Sequence, residues 1–295
     1  MISRRSILAV LVSGVFVAAA AGCTRSAPQG GGDAGGGAPS KQTLTIKGSD
    51  TMVLLGQRWA ETFMKEHPAS SIQVTGGGSG TGIAALINGS TDLANSSRPM
   101  KDKEKDEVKA KRKIDVVETK VALDALAVYV ADANPLKEMD LDQLAKVYLG
   151  QITNWKDLGG ADQKITLYGR ENNSGTYGYF KEHVLANKDF APAVQTLAGT
   201  SAVANAVKGD PSGIGYGGIA YAAGIRPLKI KKTKDAPAVE PKLETAKDGS
   251  YPISRFLYVY SAGEPQGLAK DFLAWVVSDA GQKVVSDVGY FPLPK

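Results

Sequence analysis

The 295-residue chain is predicted to adopt an α/β fold. Two observations predict it. Short β-rich runs alternate with longer amphipathic stretches, and at three places a β-rich run passes through a Gly/Ser/Thr turn directly into a helical pattern. A hydrophobic content of 43% and a charged content of 22% suit a globular chain with a sizeable core.

Taken in order, residues 44–46 read as a strand and 52–67 as a helix, with Leu55, Trp59 and Phe63 recurring on one face. Residues 72–74 form a second strand, and 83–88 a helix that ends near Gly89. A strand ends at Asp92-Leu93-Ala94. The run 101–113 mixes charges of both signs and is expected to be a solvated helix face with no ligand. Residues 116–117 and 126–130 are β-rich, 141–149 helical, 165–168 a strand and 177–185 a helix. Trp155, in the turn 154–157, is expected to be packing. Residues 214–216 and 257–260 are strands, and a helix at 267–278, carrying Leu268, Phe272, Trp275 and Val276, closes the pattern.

Residues 1–22 are expected to be a signal peptide. Arg4 and Arg5 make a positive n-region, followed by an apolar run of about 15 residues, short for a membrane span but suited to a signal h-region. The run ends at Ala20-Ala21-Gly22-Cys23, which resembles a lipobox, although leucine is usual where Ala20 stands. Cys23 is the single cysteine; it is expected to be lipidated and to anchor the protein to a membrane. Residues 3–8 also resemble a twin-arginine signal, so both export routes stay open. Residues 23–42, which include GGGDAGGGAPS, are expected to be a flexible tether with a reach of roughly 25 Å.

The three corners share one chemistry. They are Gly48-Ser49-Asp50-Thr51, the glycine run 76–82 with Ser79 and Thr81, and Arg170 through Thr176. A helix start leaves backbone N–H groups unpaired and carries the positive end of the helix dipole. Glycine lets an anion approach the backbone, and hydroxyls add donors, so such a corner suits a phosphate or sulfate group. Ser, Thr and Asp are also ordinary N-caps, which accounts for any one corner alone. Three corners, with Arg98 and Arg170 near turns of this kind, point to one shared oxyanion site. Arg98 has a surface ion pair as its other role. The glycine run is neither a Walker loop nor a dinucleotide fingerprint.

The segments GSDTM, GGGSGTGI, TDLANSSRPM, YLGQITNWKDLGG, GRENNSGTYGYF, GIGYGGIAY and YPISRFLYVY closely resemble the phosphate-binding protein family of the Pst ABC importer. So does the last helix, with Trp275, Gly281 and Gln282 before GYFPL. The resemblance covers residues 44–295. It implies a two-lobed periplasmic-binding-protein type II fold, with a ligand cleft between the lobes and crossings near Val121 and Pro252. Lobe one is then 43–121 plus 252–295, and lobe two 122–251. The resemblance implies phosphate contacts at Ser49, Asp50 and Thr51, at Ser79 and Gly80, at Ser97 and Arg98, and at Arg170, Ser174, Gly175 and Thr176. It further implies a monomer that captures inorganic phosphate outside the cytoplasmic membrane, needs no cofactor and delivers its cargo to ABC permease subunits.

One departure bears on specificity. The best-known members carry an aspartate where Ser97 falls here, and a carboxylate accepting the O–H of phosphate is how such a site rejects sulfate. Asp50 is the carboxylate within a binding turn, and it is expected to be that acceptor while also capping the helix after Thr51. Asp92 is expected at a core or strand end. Asp124, near a crossing, suits either a hinge hydrogen bond or a ligand-side role.

Other classes are weaker. The same corners would serve sulfate, molybdate or tungstate, which the Asp50 carboxylate disfavours. A sensor role shares every one of these features with transport. Catalysis is not expected, because His67 and His183 are the only histidines and Ser79 and Ser174 have no evident base. No metal site is expected from this composition. Without Arg4 and Arg5 of the expected signal peptide, the net charge falls from +5 to +3, too small to argue for nucleic acid.

Overall fold

The computed structural model describes residues 41–294. The leader, Cys23 and most of the tether lie outside the described residues.

The chain begins with three strand-to-helix units. β1 (Gln42–Gly48) passes through a 3-10 turn at Asp50–Met52 into α1 (Val53–Glu66); β2 (Ser70–Gly77) leads into α2 (Ser79–Asn88); β3 (Leu93–Ser96) precedes α3 (Asp102–Arg112). The long strand β4 (Val116–Val130) follows. Then come β5 (Glu138–Asp140), α4 (Leu141–Tyr148), β6 (Thr166–Arg170), α5 (Gly175–His183), β7 (Gln195–Leu197), α6 (Thr200–Gly209), β8 (Gly213–Gly218), β9 (Arg226–Pro227), β10 (Lys229–Lys231) and α7 (Leu243–Lys247). The strand β11 (Ser254–Ala262) and helices α8 (Gly267–Val277) and α9 (Asp279–Val288) complete the chain.

Local chemistry explains the element ends. Leu55, Trp59 and Phe63 form the buried stripe of α1, and Trp59 Nε1 donates to the Gly281 carbonyl at 2.8 Å, tying α1 to α9. Helix α2 stops at Gly89, whose φ of +72° is the left-handed conformation that glycine adopts without a Cβ penalty. Helix α4 starts with a reciprocal cap, in which Asp140 accepts from the Gln143 N–H and Gln143 accepts from the Asp140 N–H.

The main sheet has the order β2-β1-β3-β11-β4-β8-β6-β7, with β9 beside β4; β10 and β5 form a separate pair. β1 is parallel to β2 and β3, and β6 is parallel to β7 and β8. Between these two parallel groups lie the antiparallel strands β11 and β4. β4 pairs with β11 over residues 116–125 and with β8 over 126–130.

Apolar packing follows the same division. One buried cluster gathers Leu44, Trp59, Phe63, Val121 and Ala122 with Leu257 and Phe272. A second gathers Ala125, Leu126, Tyr148, Trp155, Phe180 and Tyr216 with Ile253. Trp155 is a buried packing residue, and its Nε1 donates to the Ser212 carbonyl.

Several expectations need correction. The two β-rich runs at 116–117 and 126–130 are a single strand, because Glu118 to Lys120 continue the ladder with β11 despite their polarity. Helices α2 and α5 begin at the turns themselves, ahead of their first apolar residues. Gln42, expected in the tether, pairs with Ser70 at the exposed start of β1, where backbone bonding leaves no apolar signal. Helix α6 adds to the pattern, and the last helix is two, with Trp275 on α8 and Gly281 and Gln282 on α9.

Candidate anion-binding site

The corner after β1 is fixed by close backbone approach. Gly48 has φ +142°, and a Cβ there would lie 2.1 Å from the Asn95 carbonyl oxygen. The Ser49 N–H donates to that same oxygen at 2.9 Å, which holds the end of β1 against β3. Tyr290 Oη donates to the Thr51 carbonyl and Tyr221 Oη to the Asp50 carbonyl, so two phenols from distant segments grip the turn. Thr51 is thereby buried completely, with its hydroxyl pointing to the start of α5.

The other corners close on it. Ser79, the first residue of α2, accepts from the Ser97 N–H at 3.1 Å and lies 3.4 Å from the Ser97 hydroxyl. Thr176 Oγ1 lies 2.8 Å from Thr51 Oγ1 and 3.4 Å from Ser97 Oγ. Thr51, Ser79, Ser97 and Thr176 are each 0% exposed. Gly175 makes this convergence possible, since a Cβ there would sit 2.2 Å from Ser79 Oγ and 2.7 Å from Ser97 Oγ. Asn173 latches the two helix starts together: its carbonyl accepts from the Gly80 N–H, and its amide donates to the Gly77 carbonyl.

Arg170, at the end of β6, is 2% exposed. Its Nη2 donates to Asp50 Oδ2 at 2.6 Å and its Nη1 to Thr200 Oγ1 at 2.7 Å. Its Nε is buried without a partner; among the described residues the Tyr216 hydroxyl is the one other buried side-chain polar atom in that state. An unpaired buried donor costs about 1–3 kcal/mol, more when charged, so an incoming acceptor would relieve it. Burial lowers the guanidinium's affinity for its proton, opposed by Asp50, but arginine starts so high that it stays charged.

The structure therefore brings together Thr51, Ser79, Ser97, Gly175, Thr176 and Arg170. Ser49 is buried at the edge of the cluster, at the N-cap position of the 3-10 turn. Ser174 caps α5, accepting from the Tyr177 N–H. The Gly80 N–H is occupied by Asn173. Asp50 does not cap a helix: Oδ1 accepts from the Gly77 N–H at 2.7 Å and Oδ2 from Arg170.

Arg98 takes the ion-pair role that was its alternative. Its guanidinium forks onto Glu104, with Nη1 to Oε2 at 2.8 Å and Nη2 to Oε1 at 2.7 Å, and also donates to the Pro99 carbonyl. The first turn of α3 supplies a carboxylate whose geometry matches that fork, so Arg98 is held in an ion pair instead of turning to the hydroxyl cluster. Asp92 is exposed at the strand end, where it accepts from the N–H and hydroxyl of Thr45.

Two residues, Thr200 and Arg255, are not marked by the sequence pattern. Thr200 opens α6 and lies 3.4 Å from Thr51 Oγ1; Gly199-Thr200 repeats the glycine–hydroxyl corner, but the three-residue strand β7 ahead of it is too short to register. Arg255 donates to Thr176 Oγ1 at 3.1 Å and to the Ser97 carbonyl at 2.9 Å. Its Nε and Nη2 both reach Asp124 Oδ2. The available signal was one charge of each sign inside two apolar strands.

Comparison with known proteins shows the family of the chain. The family model of the PBP superfamily domain matches residues 33–280. The phosphate-binding protein PstS of Pseudomonas aeruginosa is 37% identical over 268 residues, covering 85% of this chain and 83% of that protein. PstS of Bacillus subtilis is 33% identical over 294 residues, covering 98% and 95%. A phosphate-bound crystal structure from Clostridium perfringens superposes with a TM-score of 0.78 at 27% identity, covering 86% of this chain and 100% of that one. An ABC-type phosphate transport receptor from Vibrio cholerae gives 0.68 at 28% identity, covering 85% and 100%. The chain belongs to the PBP superfamily and, within it, to the PstS family of phosphate-binding proteins.

Proposed function

We propose that this protein binds inorganic phosphate outside the cytoplasmic membrane and hands it to the permease subunits of an ABC importer, acting as a monomeric binding protein anchored through lipidated Cys23. The observation that carries the binding reading is the buried Arg170 guanidinium, with one N–H unpaired, beside the buried hydroxyls of Thr51, Ser79, Ser97 and Thr176. Such a set offers donors from several directions to a tetrahedral anion. The names of the relatives, phosphate-binding and phosphate transport proteins, support the same cargo.

The lobe division 43–121 plus 252–295 and 122–251 belongs to this proposal. It is supported by the change of core between Ala122 and Ala125 on β4, and between Ile253 and Leu257 on the return. Thr51, Ser79 and Ser97 then belong to lobe one and Arg170, Gly175 and Thr176 to lobe two, so a bound anion draws the lobes together.

Calorimetric titration of the soluble 24–295 fragment with phosphate tests the proposal. Saturable one-to-one binding is expected, and Arg170→Gln should weaken it by about 100-fold or more, the equivalent of roughly 3 kcal/mol for a lost charge-assisted contact. Absence of phosphate binding to the folded wild-type fragment would remove the reading.

A further inference from the structure

The Arg255–Asp124 pair borders the hydroxyl cluster and reaches it through Thr176 and the Ser97 carbonyl. The two residues stand directly opposite each other on β11 and β4. Asp124 is 0% and Arg255 5% exposed. Asp124 Oδ2 accepts from Arg255 Nε at 3.0 Å and from Nη2 at 2.9 Å, and Oδ1 accepts from the Ile219 N–H at 3.0 Å. The other guanidinium contacts run outward to the Ser97 carbonyl and Thr176 Oγ1. Arg170 repeats this arrangement: Asp50 holds one edge, and a hydroxyl, Thr200, receives the other.

Both cations at the cluster are thus matched one for one by carboxylates. Burial raises the Asp124 carboxyl above its usual range, while Arg255 and the Ile219 N–H oppose that shift; three donors on two oxygens hold it as the carboxylate. The surrounding phenols of Tyr129, Tyr251 and Tyr290 are pushed far upward by burial and stay uncharged. Glu171, which also acts on Arg170, is partly exposed and screened by solvent.

We propose that Asp124 is a specificity-determining residue and Arg255 a positioning residue: by cancelling the charge of Arg255, Asp124 keeps the anion site electroneutral, and the site then selects an oxyanion able to retain a proton. The inference rests on the phosphate-binding reading above. Its physical basis is desolvation. The cost of burying an ion rises with the square of its charge, so a receptor that offers dipoles and N–H groups but no net charge penalises an obligate dianion far more than a monoanion. Phosphate near neutrality has a singly charged form; sulfate has none. Arg255 meanwhile donates to Thr176 Oγ1, a bond that uses a lone pair of that hydroxyl and not its hydrogen. This mechanism needs no carboxylate where Ser97 stands.

The test is competitive calorimetry of phosphate and sulfate on the wild type, Asp124→Asn, and the double variant Asp124→Asn/Arg255→Gln, with thermal unfolding as a check of folding. Asp124→Asn leaves one uncompensated positive charge, and the phosphate-to-sulfate affinity ratio should fall by about tenfold or more, mainly through tighter sulfate binding. The double variant restores neutrality and should recover the wild-type ratio at lower overall affinity, which a purely structural role for the pair would not produce. An unchanged ratio in folded Asp124→Asn, or a double variant as unselective as the single, overturns the inference. If Asp124→Asn fails to fold, Asp50→Asn puts the same question to the charge of Arg170: a narrowed ratio supports electroneutral selection, and an unchanged one overturns it. Wild-type protein that binds no phosphate at all defeats the functional reading instead, so the two failures are distinct.

Discussion

At the scale of single residues, an arginine's role here is decided by which carboxylate reaches it first. Arg98, Arg170 and Arg255 each have a carboxylate partner, but Arg170 and Arg255 also donate to hydroxyls at the cluster, Arg170 to Thr200 and Arg255 to Thr176. Arg98 forks onto Glu104 through both Nη atoms, and Glu104 also accepts from the Lys101 N–H at the start of α3. Burial would raise the Glu104 carboxyl, but the hydrogen bond from Arg98, the Lys101 N–H and the nearby positive charges together hold it below its ordinary value of 4.5. A carboxyl depressed in the folded state contributes stability above its unfolded value and loses it as pH falls through the folded one. Glu104→Gln should therefore destabilise the protein by about 1 kcal/mol near neutrality, with the difference from wild type shrinking below about pH 4. Urea titrations across that range read the effect, and a pH-independent difference would contradict it.

At the scale of elements, glycine sets how closely strands and helix starts approach. A Cβ on Gly82, in the first turn of α2, would lie 2.4 Å from the Lys47 carbonyl oxygen and 2.5 Å from Gly48 Cα. Both are backbone atoms of β1, so no side chain can yield to make room. Gly82→Ala should cost roughly 1–3 kcal/mol of stability, measured by denaturant unfolding, by pushing α2 away from β1. The same displacement would move Ser79 from Ser97, so weaker phosphate binding is expected alongside. Gly89→Ala should cost less, because Gly89 meets a flexible arginine, Arg112, and carries mainly the left-handed φ penalty.

At the scale of the whole molecule, the candidate site lies where two cores meet and where β4 and β11 run alongside both. A ligand that binds the folded arrangement and not the unfolded chain stabilises it by mass action. Phosphate at a hundredfold excess over its dissociation constant should add about 2.7 kcal/mol and raise the melting temperature by roughly 5 °C or more in a chain of this size. Arg170→Gln, bound about 100-fold more weakly, should gain only about 0.4 kcal/mol at that concentration, a rise of about 1 °C. An equal rise in that variant would place the stabilising anion elsewhere.

The α/β class was legible in the sequence because it depends on periodicity, which is local: the α1 stripe of Leu55, Trp59 and Phe63 and the glycine–hydroxyl corners are properties of adjacent residues. The donor types of the site were legible for the same reason, since Thr51, Ser79, Arg170 and Thr176 each sit at a strand end or helix start, while Ser97 came from the family resemblance. What only the tertiary structure decided is pairing across long separations. Nothing within a few residues of Arg255 says that it will pair with Asp124, 131 residues earlier, and reach the hydroxyl of Thr176. Nor could a local pattern assign Asp50 to Arg170 in preference to a helix cap. A carboxylate in a chain is attracted to every cation, and only the sheet order fixes which of them shares its buried space.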